Sequence, residues 1–238
     1  LEASSAASDV YKRQEIEFAV NINKDSNPEF CLLQIKPMVI TGLNRSGLVL
    51  EKQMKDIFCR SSITLGDGRI ESVRDLIIVN QNTFETSKTS EIADEVSRMN
   101  KEFKNDEKYI LVGPGRWGSA DPWLGIPVQW NQISNAKAII EVGMDDLPID
   151  PSFGSHFFQN ITSLHVAYLT VNPKSKSDQL LLDWFDEYCL VQSNKYISWY
   201  RFKNPFVMTL DGTTGVGIIY QPEEEELVAM DEEESSGI

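Results

Sequence analysis

Residues that ligate soft metals or act as nucleophiles are scarce in this 238-residue sequence, which holds 3 cysteines and 2 histidines. Cys31, Cys59 and Cys189 are widely spaced and odd in number. That pattern gives neither a metal-ligand pair nor a disulfide framework, and it suits a reducing cytoplasm. His156 and His165 join no Cys cluster, and no Ser–His–acid spacing stands out. Long apolar runs are also missing. None approaches the roughly 18 residues of a membrane span, and no secretory signal is visible, so no membrane partner is expected. Basic residues are outnumbered, 22 against 36 acidic ones, for a formal net charge of −14. No basic stripe is available to neutralise phosphates, which excludes nucleic acid as a partner. Over half of that net charge comes from eight acids, Glu223 to Glu226 and Asp231 to Glu234, with no basic residue among them. A solvated, disordered acidic tail over 223–238 is expected. The apolar fraction, 41%, is enough for a real core.

Two short segments near the start carry the strongest pattern. Glu15-Ile16-Glu17-Phe18-Ala19-Val20 and Cys31-Leu32-Leu33-Gln34-Ile35-Lys36-Pro37 alternate polar and apolar residues with period two, as half-buried strands do. The polar stretch between them, with Asp25, Ser26, Asn27 and Pro28, reads as a loop. Antiparallel pairing with Glu17 opposite Gln34 sets Ile16 against Ile35, Phe18 against Leu33 and Val20 against Cys31 on one face. Glu15 meets Lys36 on the other. The polar face then carries two carboxylates, an amide and an ammonium. Carboxylate and amide oxygens are hard ligands suited to magnesium, and lysine is a point-charge partner for phosphate. A solvated face with a cross-strand Glu–Lys pair accounts for the same pattern.

These segments resemble the end of the nucleotide-binding domain of pyruvate phosphate dikinase and phosphoenolpyruvate synthase. There an acid-Ile-Glu-aromatic strand is followed by a loop and a Leu-Gln-x-Arg-Pro strand. The resemblance implies the end of an ATP-grasp domain over 15–41. It assigns Glu17 and Gln34 to the Mg2+–ATP complex, as cofactor and metal ligands, and gives Lys36 the phosphate-facing catalytic position. Lys36 stands where the family has arginine, so the charge is kept and the bidentate phosphate contact is lost. The remainder of an ATP-grasp domain would lie upstream of residue 15, and that portion is the implied partner. Residues 1–14, LEASSAASDVYKRQ, match no element around them and resemble translated adapter sequence. The stretches ILVGPGRWGSADPWLGIPVQW and SFGSHFFQNITSL are similar to the C-terminal region of large bacterial proteins of the same dikinase-like and synthase-like kind. That likeness covers most of 42–222 and implies no assigned chemistry there.

A turn-rich joint, Thr41 to Gly47, follows Pro37, and a domain boundary is expected there. Beyond it, Ile57–Ser62, Asp75–Asn80, Tyr109–Gly113, Ala136–Val142 and Ile161–Val171 read as strands. Tyr196–Phe202, Phe206–Leu210 and Val216–Tyr220 read as a closing meander, the last two joined across Asp211–Gly215. Two main helices are expected. One starts at Ser90 with Ile92, Val96, Met99 and Phe103 on a stripe. The other starts at Ser177 with Leu181, Trp184, Phe185 and Tyr188 on a stripe. The expected fold is a strand-rich mixed α+β domain over 42–222, preceded by the hairpin.

Gly113-Pro114-Gly115-Arg116-Trp117-Gly118 is formally G-x-G-x-x-G after a strand, and Glu141 closes the next apolar run. A dinucleotide site would need a helix after Gly118, and the prolines at 122 and 127 argue against one. Trp117, Trp123 and Trp130 could wall a pocket in which Arg116 binds an anion; they could equally pack as core, with Arg116 paired to Asp121. His165 reads as a core histidine on a strand face with Ile161, Ala167 and Leu169. Ser155-His156 is a faint echo of the phosphocarrier histidine of the dikinase family. The sequence thus points to part of an ATP-dependent phosphotransferase, inactive alone. The alternative is an accessory module that binds a small phosphorylated or anionic metabolite, or docks other domains, through the Gly113–Gly118 loop.

Overall fold

A computed structural model describes residues 14–22, 27–37, 57–104, 106–119, 121, 123–144, 156–184 and 189–223. The chain divides into two compact units, residues 1–48 and 49–238. The Thr41–Gly47 joint, nearly all of the adapter-like segment and all but Glu223 of the acidic tail fall outside the described residues.

The first unit contains a hairpin of β1 (Gln14–Asn21) and β2 (Glu29–Pro37). Its register pairs Glu15 with Lys36, Ile16 with Ile35 and Glu17 with Gln34, as the alternation predicts. Beyond Glu17 the ladder shifts: Phe18 faces Leu32 instead of Leu33, and Val20 faces Phe30 instead of Cys31. Leu33 is the extra residue of a β-bulge. An uninterrupted period of two would put Cys31 on the apolar face; the bulge substitutes Phe30, whose ring centroid lies 5.0 Å from that of Phe18.

The second unit is a strand-rich mixed α+β fold. Its first strands are β3 (Ile57–Ser61), β4 (Ile63–Leu65) and β5 (Gly68–Val79), followed by helix α1 (Thr89–Glu102). Then come β6 (Tyr109–Pro114), β7 (Arg116–Trp117), β8 (Gly125–Ile126), β9 (Ala136–Val142) and the short helix α2 (His156–Ser163). The chain continues through β10 (Ala167–Val171), β11 (Gln179–Leu180), β12 (Leu190–Ser193), β13 (Ile197–Asp211) and β14 (Val216–Tyr220).

The large sheet runs β11-β3-β14-β13-β5-β6-β9-β10-β4, with β12 added on β13. Strands β5, β6, β9 and β10 are mutually parallel. Parallel neighbours need long crossovers. Helix α1 supplies the first, the β7–β8 loop the second and α2 the third. Only Ser62 separates β3 from β4, yet β3 pairs with β14 and β4 with β10. The segment 57–65 therefore links β14, near one end of the strand order, to β10, near the other, and the sheet closes on itself there with β11 added outside the seam on β3. At this seam the Ser61 hydroxyl donates to the Thr170 carbonyl at 2.6 Å.

Closure gives the sheet an inside and an outside. Phe58, Val73, Leu76, Ile110, Ile140 and Leu169 belong to the inner cluster. Ile77, Leu111 and Ile139 face outward with Ile92, Val96 and Met99 of α1. Strands buried on both faces read as continuous apolar runs, which is why β5, β6 and β9 were visible without clean alternation.

Three expectations need correction. Ser177 caps no helix, because Gln179 and Leu180 pair with Arg60 and Cys59 as β11. The Leu181 N–H donates to the Phe58 carbonyl at 2.9 Å. Trp184 stacks on Phe202 at 5.4 Å. Tertiary contacts thus hold this apolar spacing without a helix, and Phe185 and Tyr188 lie outside the described residues. Among the described residues one main helix, α1, remains; it begins at Thr89, one residue before the expected Ser90 cap, and buries the expected stripe, Phe103 included. The run from Ile161 to Val171 is not one strand: Ile161 to Ser163 end α2, and β10 starts only at Ala167. The two expected strands between Tyr196 and Leu210 are one long strand, β13, interrupted by register shifts after Arg201 and Phe206.

Candidate functional site

Polar groups converge at the carboxyl ends of the parallel strands, the end at which parallel α/β sheets, open or closed, generally place ligands. Gly113 on β6, Glu141 on β9 and Thr170 on β10 form one row across the sheet. All three lie on the outer, helix-bearing face, since their neighbours Val112, Ile140 and Leu169 point inward.

The glycine-rich turn folds over this row. A Cβ on Gly113 would come 2.4 Å from Cζ2 of Trp117, so the indole lies directly on Gly113. Gly118 has φ +78°, and a Cβ there would come 2.6 Å from the Phe157 ring of α2. These glycines permit close packing of aromatic rings. Strand β7 then pairs in parallel with β8, Arg116 with Gly125 and Trp117 with Ile126. No helix begins directly after Gly118 among the described residues, and the next element is β8, so the dinucleotide reading is overturned.

Glu141 is the central group. It is 2% exposed, and its Oε1 accepts the Trp117 backbone N–H at 2.8 Å. Burial pushes its carboxyl up to about 7. The Tyr168 hydroxyl, the Trp117 N–H and the Arg116 charge pull it part of the way back. Tyr168 lies close enough to Glu141 and Thr170 for its own ionisation to be affected by both. By strict geometry, however, Glu141 Oε2, Thr170 Oγ1, Arg116 Nε and Trp117 Nε1 make no well-formed hydrogen bond.

The expected pairing of Arg116 with Asp121 does not occur; Asp121 Oδ1 accepts the Trp123 N–H at 2.9 Å. The three indoles form no common wall. Trp117 is 3% exposed, Trp123 is 73% exposed, and Trp130 packs edge-on against Phe157 at 6.1 Å. His165 is no core residue: it is exposed, with φ +52°, in the turn between α2 and β10. Its carbonyl accepts from Lys137 Nζ at 3.0 Å. His156 opens α2, and its side chain lies outside what is described.

No protein family, curated protein or solved structure matches this chain.

The hairpin residues Glu17, Gln34 and Lys36 hold the expected ladder positions, with Glu17 directly opposite Gln34 and Lys36 opposite Glu15. Directly opposed residues share a sheet face. Their side chains are not among those described. Among the described residues no three His, Cys, Asp or Glu side chains gather into a metal-binding group. No helix among them is long and apolar enough to cross a membrane.

Arg116 was legible as a candidate from its place in the glycine turn. Thr170 and Tyr168 were not anticipated. The available signal was a polar residue inside each of two buried strands, AKAIIEV and AYLTV.

Proposed function

We propose that this chain is part of an ATP-dependent phosphotransferase of the pyruvate phosphate dikinase and phosphoenolpyruvate synthase type. Its hairpin contributes Glu17 and Gln34 to a magnesium–ATP site and Lys36 to the phosphates. The reading is carried by the register that sets Glu17 opposite Gln34 and Glu15 opposite Lys36. When bound, magnesium would neutralise phosphate oxygens, and phosphoryl transfer depends largely on such positioning and charge compensation. This chain would orient the complex from one side, with the opposite wall supplied by an upstream ATP-grasp portion. The hairpin's exposed Phe18, Val20, Phe30 and Leu32 are consistent with that, because two strands alone cannot bury an apolar face. The chain alone is expected to show no ATP turnover. Together with the upstream portion, Glu17→Ala and Gln34→Ala should each reduce magnesium-dependent turnover at least tenfold. Unchanged turnover in both variants would refute the assignment.

A second reading concerns the larger unit. It binds a small anionic metabolite through Arg116, and the buried, unpartnered Nε of that residue favours this. A thermal-shift screen with phosphate-bearing metabolites tests it. Stabilisation that disappears in Arg116→Ala supports the reading, and a flat screen rejects it.

A further inference from the structure

Among the described residues, six buried side-chain nitrogen or oxygen atoms lack a hydrogen-bond partner, and four of them are Arg116 Nε, Trp117 Nε1, Glu141 Oε2 and Thr170 Oγ1. Native interiors leave few such atoms, so four at one place require a common cause. Their placement is shared as well. Glu141 and Thr170 are register neighbours, Trp117 covers the next position of the row at Gly113, and the Arg116 charge acts on Glu141.

Their chemistry leans towards donors. The guanidinium and the indole can only donate. The threonine hydroxyl can donate, and a protonated glutamic acid can too. What is missing is an acceptor with several lone pairs, and the Arg116 charge favours a negative one. A single water accepts only two such bonds and brings no counter-charge. The donors are already positioned: Gly113 seats the indole, and Glu141 Oε1 holds the Trp117 backbone.

We propose that Arg116, Trp117, Thr170 and Glu141 form a binding site for the oxyanion group of a small ligand, a carboxylate or a phosphate. The site deepens the Arg116 reading above and rests on it. It adds three buried contacts on the outer face of the sheet and makes Glu141 a proton-bearing member of the site.

The test uses the full chain with sodium phosphate and with sodium acetate at constant ionic strength, and follows Tm. Ten times Kd of the preferred anion should raise Tm by about 3–6 °C. A preference for phosphate marks a phosphate-bearing ligand, and a preference for acetate marks a carboxylate. Thr170→Val and Trp117→Phe each remove one inner donor and should weaken binding about tenfold. Arg116→Ala should abolish it. If Trp117→Phe does not fold, Thr170→Val still decides, because valine has nearly the shape of threonine and removes the hydroxyl alone. Binding that disappears in Arg116→Ala but is unchanged in both inner variants overturns this site and leaves the Arg116 reading standing. No shift with either anion, as expected of water alone, overturns both. A shift kept in all three variants marks a surface anion and also overturns both.

Discussion

Replacing Glu141 with glutamine should make the protein's stability less dependent on pH. The carboxyl is pushed from an ordinary 4.5 up to about 7, chiefly by burial. The native state therefore holds this proton more tightly than the unfolded chain does. Between those two values the native protein binds more protons, so stability falls as pH rises. The favourable contribution is complete below 4.5 and gone above about 7. At ~1.36 kcal/mol per pH unit, most of that gap lies between pH 5 and pH 8, and the wild type should lose about 2.5 kcal/mol over that range from this group. Glutamine keeps an Oε1 to accept the Trp117 N–H and carries no charge to desolvate. Urea unfolding of both proteins at half-unit steps from pH 5 to pH 8 measures the difference. The Glu141→Gln curve should be flatter by about 2.5 kcal/mol, with its largest relative advantage at pH 8. Parallel curves would show that Glu141 titrates normally, and the burial argument would fail with them.

Other substitutions probe the frame around the site. Ser61→Ala removes the donor to the Thr170 carbonyl at the sheet seam and should cost about 1–2 kcal/mol in urea unfolding, since that carbonyl is buried. Gly125→Ala would place a Cβ 1.9 Å from the Arg116 carbonyl oxygen, a backbone atom that cannot rotate away. It should cost about 3 kcal/mol and separate β7 from β8, seen as a red shift of Trp117 fluorescence. Asp75 is buried and accepts from Trp199 Nε1 at 2.7 Å and from Arg201 Nε at 2.8 Å. Asp75→Ala leaves a buried indole N–H unpaired and should cost about 3 kcal/mol. Arg201→Ala, at a half-exposed partner, should cost about 1 kcal/mol. Equal losses in the two would contradict the difference in burial.

Local periodicity decided much of this protein in advance. The alternation of 15–20 against 31–37 sets the first three pairs of the hairpin, because a slip there would exchange its polar and apolar faces. The stripe Ile92, Val96, Met99 and Phe103 specifies α1 through its helical spacing. The short apolar runs at 75–80, 109–113 and 136–142 specify strands buried on both sides.

What periodicity could not decide was anything requiring a partner distant in the chain. The bulge after Glu17 answers to how Phe30 packs on Phe18. Residues 177–184 have helical spacing, yet their apolar side chains and backbone are held by Phe58, Cys59, Arg60 and Phe202, which no local pattern reveals. Closure of the sheet depends on one bent segment, 57–65, pairing with strands about a hundred residues and more further on. The same holds for the polar cluster. Arg116 and Trp117 come from a turn, Glu141 from one strand and Thr170 from another, and each is unremarked in its own segment. Only the parallel register of β6, β9 and β10 sets Glu141 and Thr170 in one row with Gly113, beneath the Trp117 indole, and only burial there pushes an ordinary carboxyl up to about 7.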